Sequence, residues 1–383
     1  MSARGMYEAV DHVRDPIHGF IGLSEYELAI LDNTPVQQLR EISQLGVTRF
    51  VYPSATHSRF EHSLGVMHLA GRLANSLDLA DETVTAARIA GLLHDTGHGP
   101  FSHTSESIAE RHGLSHEELS CEVVDQCSEH IPLSTDLVKE YVQSDAQPNI
   151  VAGVLDADRM DYLVRDSHYT GVAHGVIDVE TLLQYATTTP DGRLGLSHKA
   201  VPALNELISA RLKMYKTIYT HSTIQVMDTM LRRVLADYSH EHGVRELMAQ
   251  DEQSLYTYLT SHPLYRQYRN RNLYEQISNG KTSSDEKPLY RYIEEQNPYQ
   301  VAEEIATKAG VATNDVLVRE PMSTGSSLPS VPILTAEGGV TPLHKVSNLP
   351  AHVQTEFEEN TSTTVYAHPD VQNVVNTAVK NLF

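Results

Sequence analysis

Cysteine is nearly absent from this 383-residue chain, which has only Cys121 and Cys127. Two thiols cannot build a disulfide framework or a thiolate zinc site, and their scarcity fits a reducing compartment. Long apolar runs are also missing. None reaches the ~18 residues that a membrane helix needs. Met1 to Val10 carries no cationic-then-apolar signal region. A soluble, cytoplasmic protein with no membrane partner is expected. Positive charge is in deficit too, with 29 basic against 50 acidic side chains and a formal net charge of −21. A surface this acidic repels phosphate backbones, which argues against an extended nucleic-acid partner. Lysine is scarce, nine against 20 arginines. Low lysine with abundant carboxylates suits a halophilic, high-salt cytoplasm. An ordinary acidic protein is the alternative, because surface charge bears on solubility rather than fold. Hydrophobic residues still make up 40% of the chain, enough for a sizeable core and too many for global disorder. The length suggests two domains, or one large domain with an appendage.

Residues 1 to 23 read as an irregular entry, with a short strand at Phe20–Leu23. Helices dominate from there. Ser24 and Glu27 form a capping box. Val36 to Leu45 has helical spacing and is stopped by Gly46. Phe60 to Leu79 is a further helix. Another begins at Asp81 and ends at Gly97, Gly99 and Pro100. More helices are expected at 116–130, 134–144, 149–164, 178–186 and 202–240. Thr187 to Leu196, with Pro190-Asp191-Gly192, reads as a hairpin. Composition shifts after about residue 245. A polar stretch, Asn279 to Lys287, leads into a tail that mixes a helix at 301–309 with strands at Val316–Arg319, Val331–Leu334 and Thr363–Ala367. A last helix covers 369–382. The expected fold class is mainly α, with a helical core over 1–245 and a smaller C-terminal α+β region over 246–383. No internal repeat is present.

Histidine is what the chain has in excess where it matters. Nine of its 21 histidines lie between His57 and His130, a span in which even spreading predicts about four. The centre is His94-Asp95-Thr96-Gly97-His98-Gly99-Pro100-Phe101-Ser102-His103. An imidazole and a carboxylate side by side can both reach one hard or borderline divalent ion such as Mn, Mg, Fe, Ni or Zn. A lone His-Asp pair is more commonly a capped helix end. Further ligands are therefore needed. His62 and a carboxylate of Asp156-Ala157-Asp158-Arg159-Met160-Asp161-Tyr162 are candidates.

The order His62, His94-Asp95, Asp158 resembles the HD-domain phosphohydrolase superfamily. Five blocks narrow the resemblance to its dNTP triphosphohydrolase branch. They are DPIHGFIGL (15–23), LREISQLG (39–46), HSRFEHSLGVMHLAG (57–71), GLLHDTGHGPFSH (91–103) and DADRMDYLVRD (156–166). The resemblance covers about residues 11 to 240. With the match starting near residue 11, an N-terminal SAM domain like that of the best-known animal member is not expected.

The resemblance implies that His62, His94, Asp95 and Asp158 hold one divalent metal ion. It matches His98, His103 and His116 to a second, catalytic histidine set, with His116 working beside an acidic orienting residue. Solvent-facing or capping histidines are the plainer alternative for each. Arg59 matches a triphosphate-binding arginine, as against a solvent-facing arginine at a helix start. Arg159 follows the last ligand where the animal enzyme has lysine. Tyr162 matches a tyrosine over the sugar. Arg211, Tyr215, Tyr219 and His221 follow at helical spacing. Arg211 and Tyr219 match phosphate and sugar or base contacts, while Tyr215 and Tyr219 also suit an aromatic core stripe. Ser222 replaces a family lysine. Asp32 and Arg40 match positions that read a nucleotide activator, and Arg14 departs from the animal enzyme's asparagine there. The family assembles as homo-oligomers, dimers or tetramers.

The implied function is metal-dependent hydrolysis of a deoxynucleotide substrate, dNTP, to deoxynucleoside and triphosphate. Two other readings stand beside it. One is an HD phosphohydrolase acting on another nucleotide or phosphate ester, since one fold hosts many substrates. The other is a non-catalytic nucleotide-binding regulator.

Overall fold

The computed structural model describes residues 8–153, 155–281, 287–320, 331–360 and 362–383. It is mainly helical, with three small sheets and a C-terminal α+β portion among the described residues. Most of the expected Asn279–Lys287 polar stretch, residues 282–286, lies outside the described residues, as do residues 1–7 of the N-terminal segment.

The chain divides into two compact units. The first comprises Met1–Lys216, Val244–Gln253 and Pro329–Pro350, and the second Thr217–Gly243, Ser254–Leu328 and Ala351–Phe383. The first unit opens with an antiparallel pair, Asp11–Asp15 against Gly19–Leu23. The Ser24–Glu27 capping box then starts the helix Glu25–Leu31 as expected. Two helices form the heart of this unit, Arg59–Ser76 and Asp81–Leu93. Their apolar residues, among them Leu64, Met67, Leu69, Ile89 and Leu92, are fully buried or nearly so. Gly91 lets the two backbones approach, because a Cβ there would lie 2.9 Å from the Met67 nitrogen. The helix Ala157–Thr170 packs against Arg59–Ser76 and carries the late acidic motif.

The hairpin expected near 187–196 is present, Ala186–Thr188 with Leu194–Ser197. Its second strand also pairs in parallel with Pro332–Leu334, which pairs with Val340–Pro342 to make a four-stranded sheet.

The second unit holds the helix Ser222–His242 and a three-stranded sheet in the order Glu275–Lys281, Ser362–Ala367, Val316–Arg319. Leu289, Ile305, Val316, Val365 and Val375 form part of its core.

Three expected helices are corrected. The one expected over 36–45 ends as an α-helix at Gln38, becomes a 3-10 turn at Leu39–Glu41, and is extended by Ile42. Ser43 bridges to Ser58 instead, which draws the chain into a loop beside the helix start at Arg59. Residues 149–153, 155 and 156 are not helical. The Ile150 and Val151 carbonyls accept from Ala157 and Asp158 N–H groups, and Asp156 caps the helix that begins there. The single helix expected over 202–240 is two. Val201–Met214 runs into a π-helical turn, Tyr215–Tyr219, and the His221 ring then accepts from Thr223 N to cap Ser222–His242.

Candidate metal and phosphate site

The site is assembled from three helix ends in the first unit. Ser58 caps Arg59–Ser76 in a capping box with Glu61, which puts Arg59 and His62 in its first turn. His94 is the C-cap of Asp81–Leu93, so His94 and Asp95 stand where that helix stops. Asp158 lies in the first turn of Ala157–Thr170, where the helix dipole favours a carboxylate. These ends bring His62, His94, Asp95 and Asp158 together. His62 Nε2 is 3.0 Å from Asp158 Oδ1 and 3.6 Å from Asp95 Oδ2. His94 Nε2 is 3.3 Å from Asp95 Oδ1 and 4.0 Å from Asp158 Oδ1.

The ring tautomers follow from the partners. His94 Nδ1–H donates to the Gly91 carbonyl at 2.9 Å, so Nε2 carries the lone pair. That Nε2 is buried without a hydrogen-bond partner. His62 Nδ1–H donates to Asp161 Oδ2 at 2.8 Å, which turns its Nε2 toward Asp158 and Asp95. A lone pair facing two carboxylates needs a positive charge between them. Burial works against a charge on His62. The hydrogen bonds to Asp158 and Asp161 and the nearby carboxylate charges prevail, and push the ring up to about 10. A divalent cation meets the same need. His62, His94 and Asp95 each offer a donor atom within 4.8 Å of one another. Two imidazoles with two carboxylates suit Mn, Mg, Fe, Ni or Zn.

Asp161 was not singled out by sequence, because its role depends on the tertiary neighbours of an otherwise ordinary carboxylate. It is fully buried and receives Arg165 Nε and Nη2 at 2.8 and 2.9 Å, and His18 Nε2 at 2.6 Å. Arg165 also reaches Asp15 Oδ2 at 2.8 Å. Gly65 makes room for this cluster, since a Cβ there would lie 1.9 Å from Asp161 Oδ1.

Arg59 is buried, and its Nη1 donates to Asp95 Oδ2. Its charge, with the neighbouring histidines, overcomes burial and holds the Asp95 carboxyl well below the usual range. Nε donates to Ser102 Oγ at 2.7 Å, and Nη2 is buried without a partner. A guanidinium N–H left in this state is a donor ready for an anion.

The second histidine set is also gathered. His98 stacks on His116 with ring centres 4.1 Å apart, and His103 meets His98 edge-on at 5.6 Å. His98 is buried, its Nε2 is 3.5 Å from Asp95 Oδ1, and its Nδ1 has no partner. Burial and the Arg59 charge hold it neutral, far below the ordinary histidine value. His116 differs. Burial lowers its pKa, but the hydrogen bond to Glu106 more than compensates and raises it. Glu106 is the carboxylate that stands beside His116. It also accepts from His103 Nδ1 at 2.6 Å, although the His103 side chain is 77% exposed. Gly97 permits the stack, since a Cβ there would lie 2.1 Å from the His116 carbonyl.

Around Asp158, Arg159 lies beside Tyr162 and reaches Asp156 at 3.2 Å. Burial raises the Tyr162 hydroxyl to about 12, and the charges of Arg211 and Arg159 act on it in the opposite sense. Arg159, Tyr162 and Arg211 are thus neighbours. Tyr215 is buried at the start of the π-helical turn. Tyr219, His221 and Ser222 belong to the second unit. Arg14, Asp32 and Arg40 are all exposed; Arg14 lies over Phe20 and Arg40 over Phe60.

A helical scaffold that gathers two histidines and two aspartates at the ends of three helices has the residue set and placement of an HD-class metal site. Comparison with known proteins agrees. The HD domain model matches residues 59–166, and the HD associated region model matches residues 177–383. The chain belongs to the HD-domain phosphohydrolase superfamily, in its dGTPase-like branch. It is 38% identical over 272 residues to an uncharacterized protein of Methanocaldococcus jannaschii, covering 69% of this chain and 59% of that one. It is 35% identical over 246 residues to the deoxynucleoside triphosphate triphosphohydrolase SAMHD1 homolog of Dictyostelium discoideum, covering 57% and 48%. The chain thus spans about half the length of the relatives it matches. In fold it is similar to a phosphohydrolase of Bacteroides thetaiotaomicron, with a TM-score of 0.76, 24% identity, and coverage of 94% of this chain and 99% of the other. Among the described residues, no helix is long and apolar enough to cross a membrane.

Proposed function

We propose that this protein hydrolyses dNTP to deoxynucleoside and triphosphate with a divalent metal held by His62, His94, Asp95 and Asp158. The observation that carries the reading is a pair of unsatisfied buried groups on either side of Asp95. His94 Nε2 offers a lone pair for a cation, and Arg59 Nη2 offers an N–H for an anion. A metal and a phosphate satisfy both.

The ion would supply Lewis acidity toward a phosphoryl oxygen. The chain's own groups supply the rest. Arg59 binds phosphate oxygen, while Arg159 and Arg211 add positive charge beside Tyr162, which faces the sugar. Tyr215, buried at the start of the π-helical turn, would sit on the nucleoside side. Water oxygen bonds to the α-phosphorus, the bond from phosphorus to the 5′-oxygen breaks, and a proton ends on that oxygen. His98 is held neutral and stacks on His116, whose pKa burial lowers but the hydrogen bond to Glu106 raises on balance. This stack is the proton source, with His103 at its exposed edge. Residues 1–245 are taken as the catalytic part, with 246–383 as its C-terminal α+β region. A nucleotide activator would use the exposed Arg14, Asp32 and Arg40, and a homo-oligomer belongs to the same reading.

The test is incubation with each dNTP and NTP plus Mn²⁺ or Mg²⁺. Inorganic triphosphate and a free deoxynucleoside are the expected products. Orthophosphate instead means a different phosphoester substrate, and nucleotide binding without turnover means a regulator. The Asp95→Ala variant should lose both bound metal and activity; if both persist, Asp95 is not a ligand.

A further inference from the structure

Arg59 is held by an element far from it in sequence. The segment Val244–Gln253 belongs to the first compact unit, although the rest of the chain around it does not. Its Glu252 side chain is only 12% exposed. Glu252 Oε1 accepts from Ser43 N at 2.9 Å and from Ser43 Oγ. The Phe101 N–H faces the same carboxylate. Glu252 N donates to the Glu41 carbonyl at 3.3 Å, which fixes the segment at its base.

These contacts fall on a strained corner. Phe101 and Ser102 both have positive φ, at 60° and 53°. Neither is glycine, so each costs about 1–3 kcal/mol and persists only where its surroundings over-determine it. Glu252 supplies that constraint from one side by holding Ser43, whose carbonyl accepts from Ser102 Oγ. Gly46 lies on the other, where a Cβ would sit 3.2 Å from the Phe101 carbonyl oxygen. The corner also carries Ser102 Oγ, which donates to the Ser43 carbonyl at 2.6 Å and accepts from Arg59 Nε at 2.7 Å. One carboxylate thus anchors Ser43, which fixes where Ser102 stands, and lies against the Phe101 N–H next to it. Ser102 in turn fixes Arg59.

The ion pair with Arg49 does not explain this arrangement. Its distance is 3.4 Å and the Arg49 side chain is 40% exposed, so solvent screens it. Burial raises the Glu252 pKa, and the Ser43 and Phe101 donors act in the opposite sense.

We propose that Glu252 is a positioning residue for phosphate binding: by clamping Ser43 and the Phe101–Ser102 corner, it aims the Arg59 guanidinium at the substrate's phosphate chain. This rests on the reading of Arg59 as a phosphate contact. It gives the segment after residue 243 a part in the site without placing any of its residues on the substrate.

The experiment titrates inorganic triphosphate into the full chain in matched Mn²⁺ buffer, with a separate titration of Mn²⁺ alone. Glu252→Ala and Glu252→Asp should weaken triphosphate binding about ten- to hundredfold. Both remove or withdraw the oxygen from Ser43 and Phe101. Glu252→Gln keeps an acceptor oxygen and should stay within about threefold of the parent. The Mn²⁺ isotherm should not change in any of them, and with dNTP the loss should appear in KM more than in kcat. If Glu252→Ala does not fold, Glu252→Asp carries the test. Arg59→Ala is run in parallel. If it binds triphosphate normally, the phosphate reading of Arg59 fails. If it loses binding while the folded Glu252→Ala or Glu252→Asp chain binds as the parent does, the positioning role of Glu252 is wrong.

Discussion

Asp161 shows how one buried carboxylate can govern a neighbour's chemistry. It takes the Nδ1–H of His62, and Arg165 and His18 hold it in turn. The His62 nitrogen that faces Asp158 and Asp95 is therefore chosen by a residue outside the proposed ligand set. Replacing such a partner typically costs ten- to a hundredfold in metal affinity, roughly. Asp161→Asn keeps the volume but can offer an N–H where His62 needs an acceptor. Calorimetric titration with Mn²⁺ should show a loss of about tenfold or more. Binding as tight as that of the unmodified chain would remove Asp161 from any orienting role.

Glycines set how closely the helical elements approach, and Gly97 bears most directly on the site. It lies between His94-Asp95 and His98, with its N–H donating to Ser120 Oγ at 2.9 Å. Ser120 Oγ donates onward to the His94 carbonyl at 2.7 Å. A methyl group at 97 would meet backbone, not a flexible tip. Gly97→Ala should therefore destabilise the chain by about 1–3 kcal/mol, read as a lower denaturation midpoint. An unchanged midpoint would show that the helix His116–Gln126 can shift at no cost. The same element scale explains what was legible in the sequence. Local rules found the capping box at Ser24, the helices flanking His62 and His94, and the Pro190-Asp191-Gly192 hairpin, because each depends on residues a few positions apart. The histidine excess marked the region where His62, His94 and Asp95 meet. Glu106, Asp161 and Glu252 were not individually legible. Their partners are set by packing between elements, and nothing in the local spacing separates them from the other carboxylates. The overlong helices failed for a related reason. Ser43 and Asp156 trade helical hydrogen bonds for tertiary or capping ones, a choice that periodicity does not record.

At the scale of the whole molecule, the formal charge of −21 opposes the approach of any polyphosphate. The site answers with Arg59, Arg159 and Arg211 near the carboxylates. Added salt screens the distant charges first, since the Debye length falls from about 30 Å at 0.01 M to about 8 Å at 0.15 M. The ratio kcat/KM for dNTP should accordingly rise with NaCl over that range. A steady fall would mean that the local cationic field already steers capture. The division of the chain has a consequence of another kind. The strand Leu194–Ser197 finds its parallel partner only at Pro332–Leu334. During synthesis, a ribosome must therefore extrude all of the intervening chain before the first unit can finish its sheet. Until then the Leu194–Ser197 edge is open to pairing with other nascent chains, and early termination anywhere before residue 332 leaves it so.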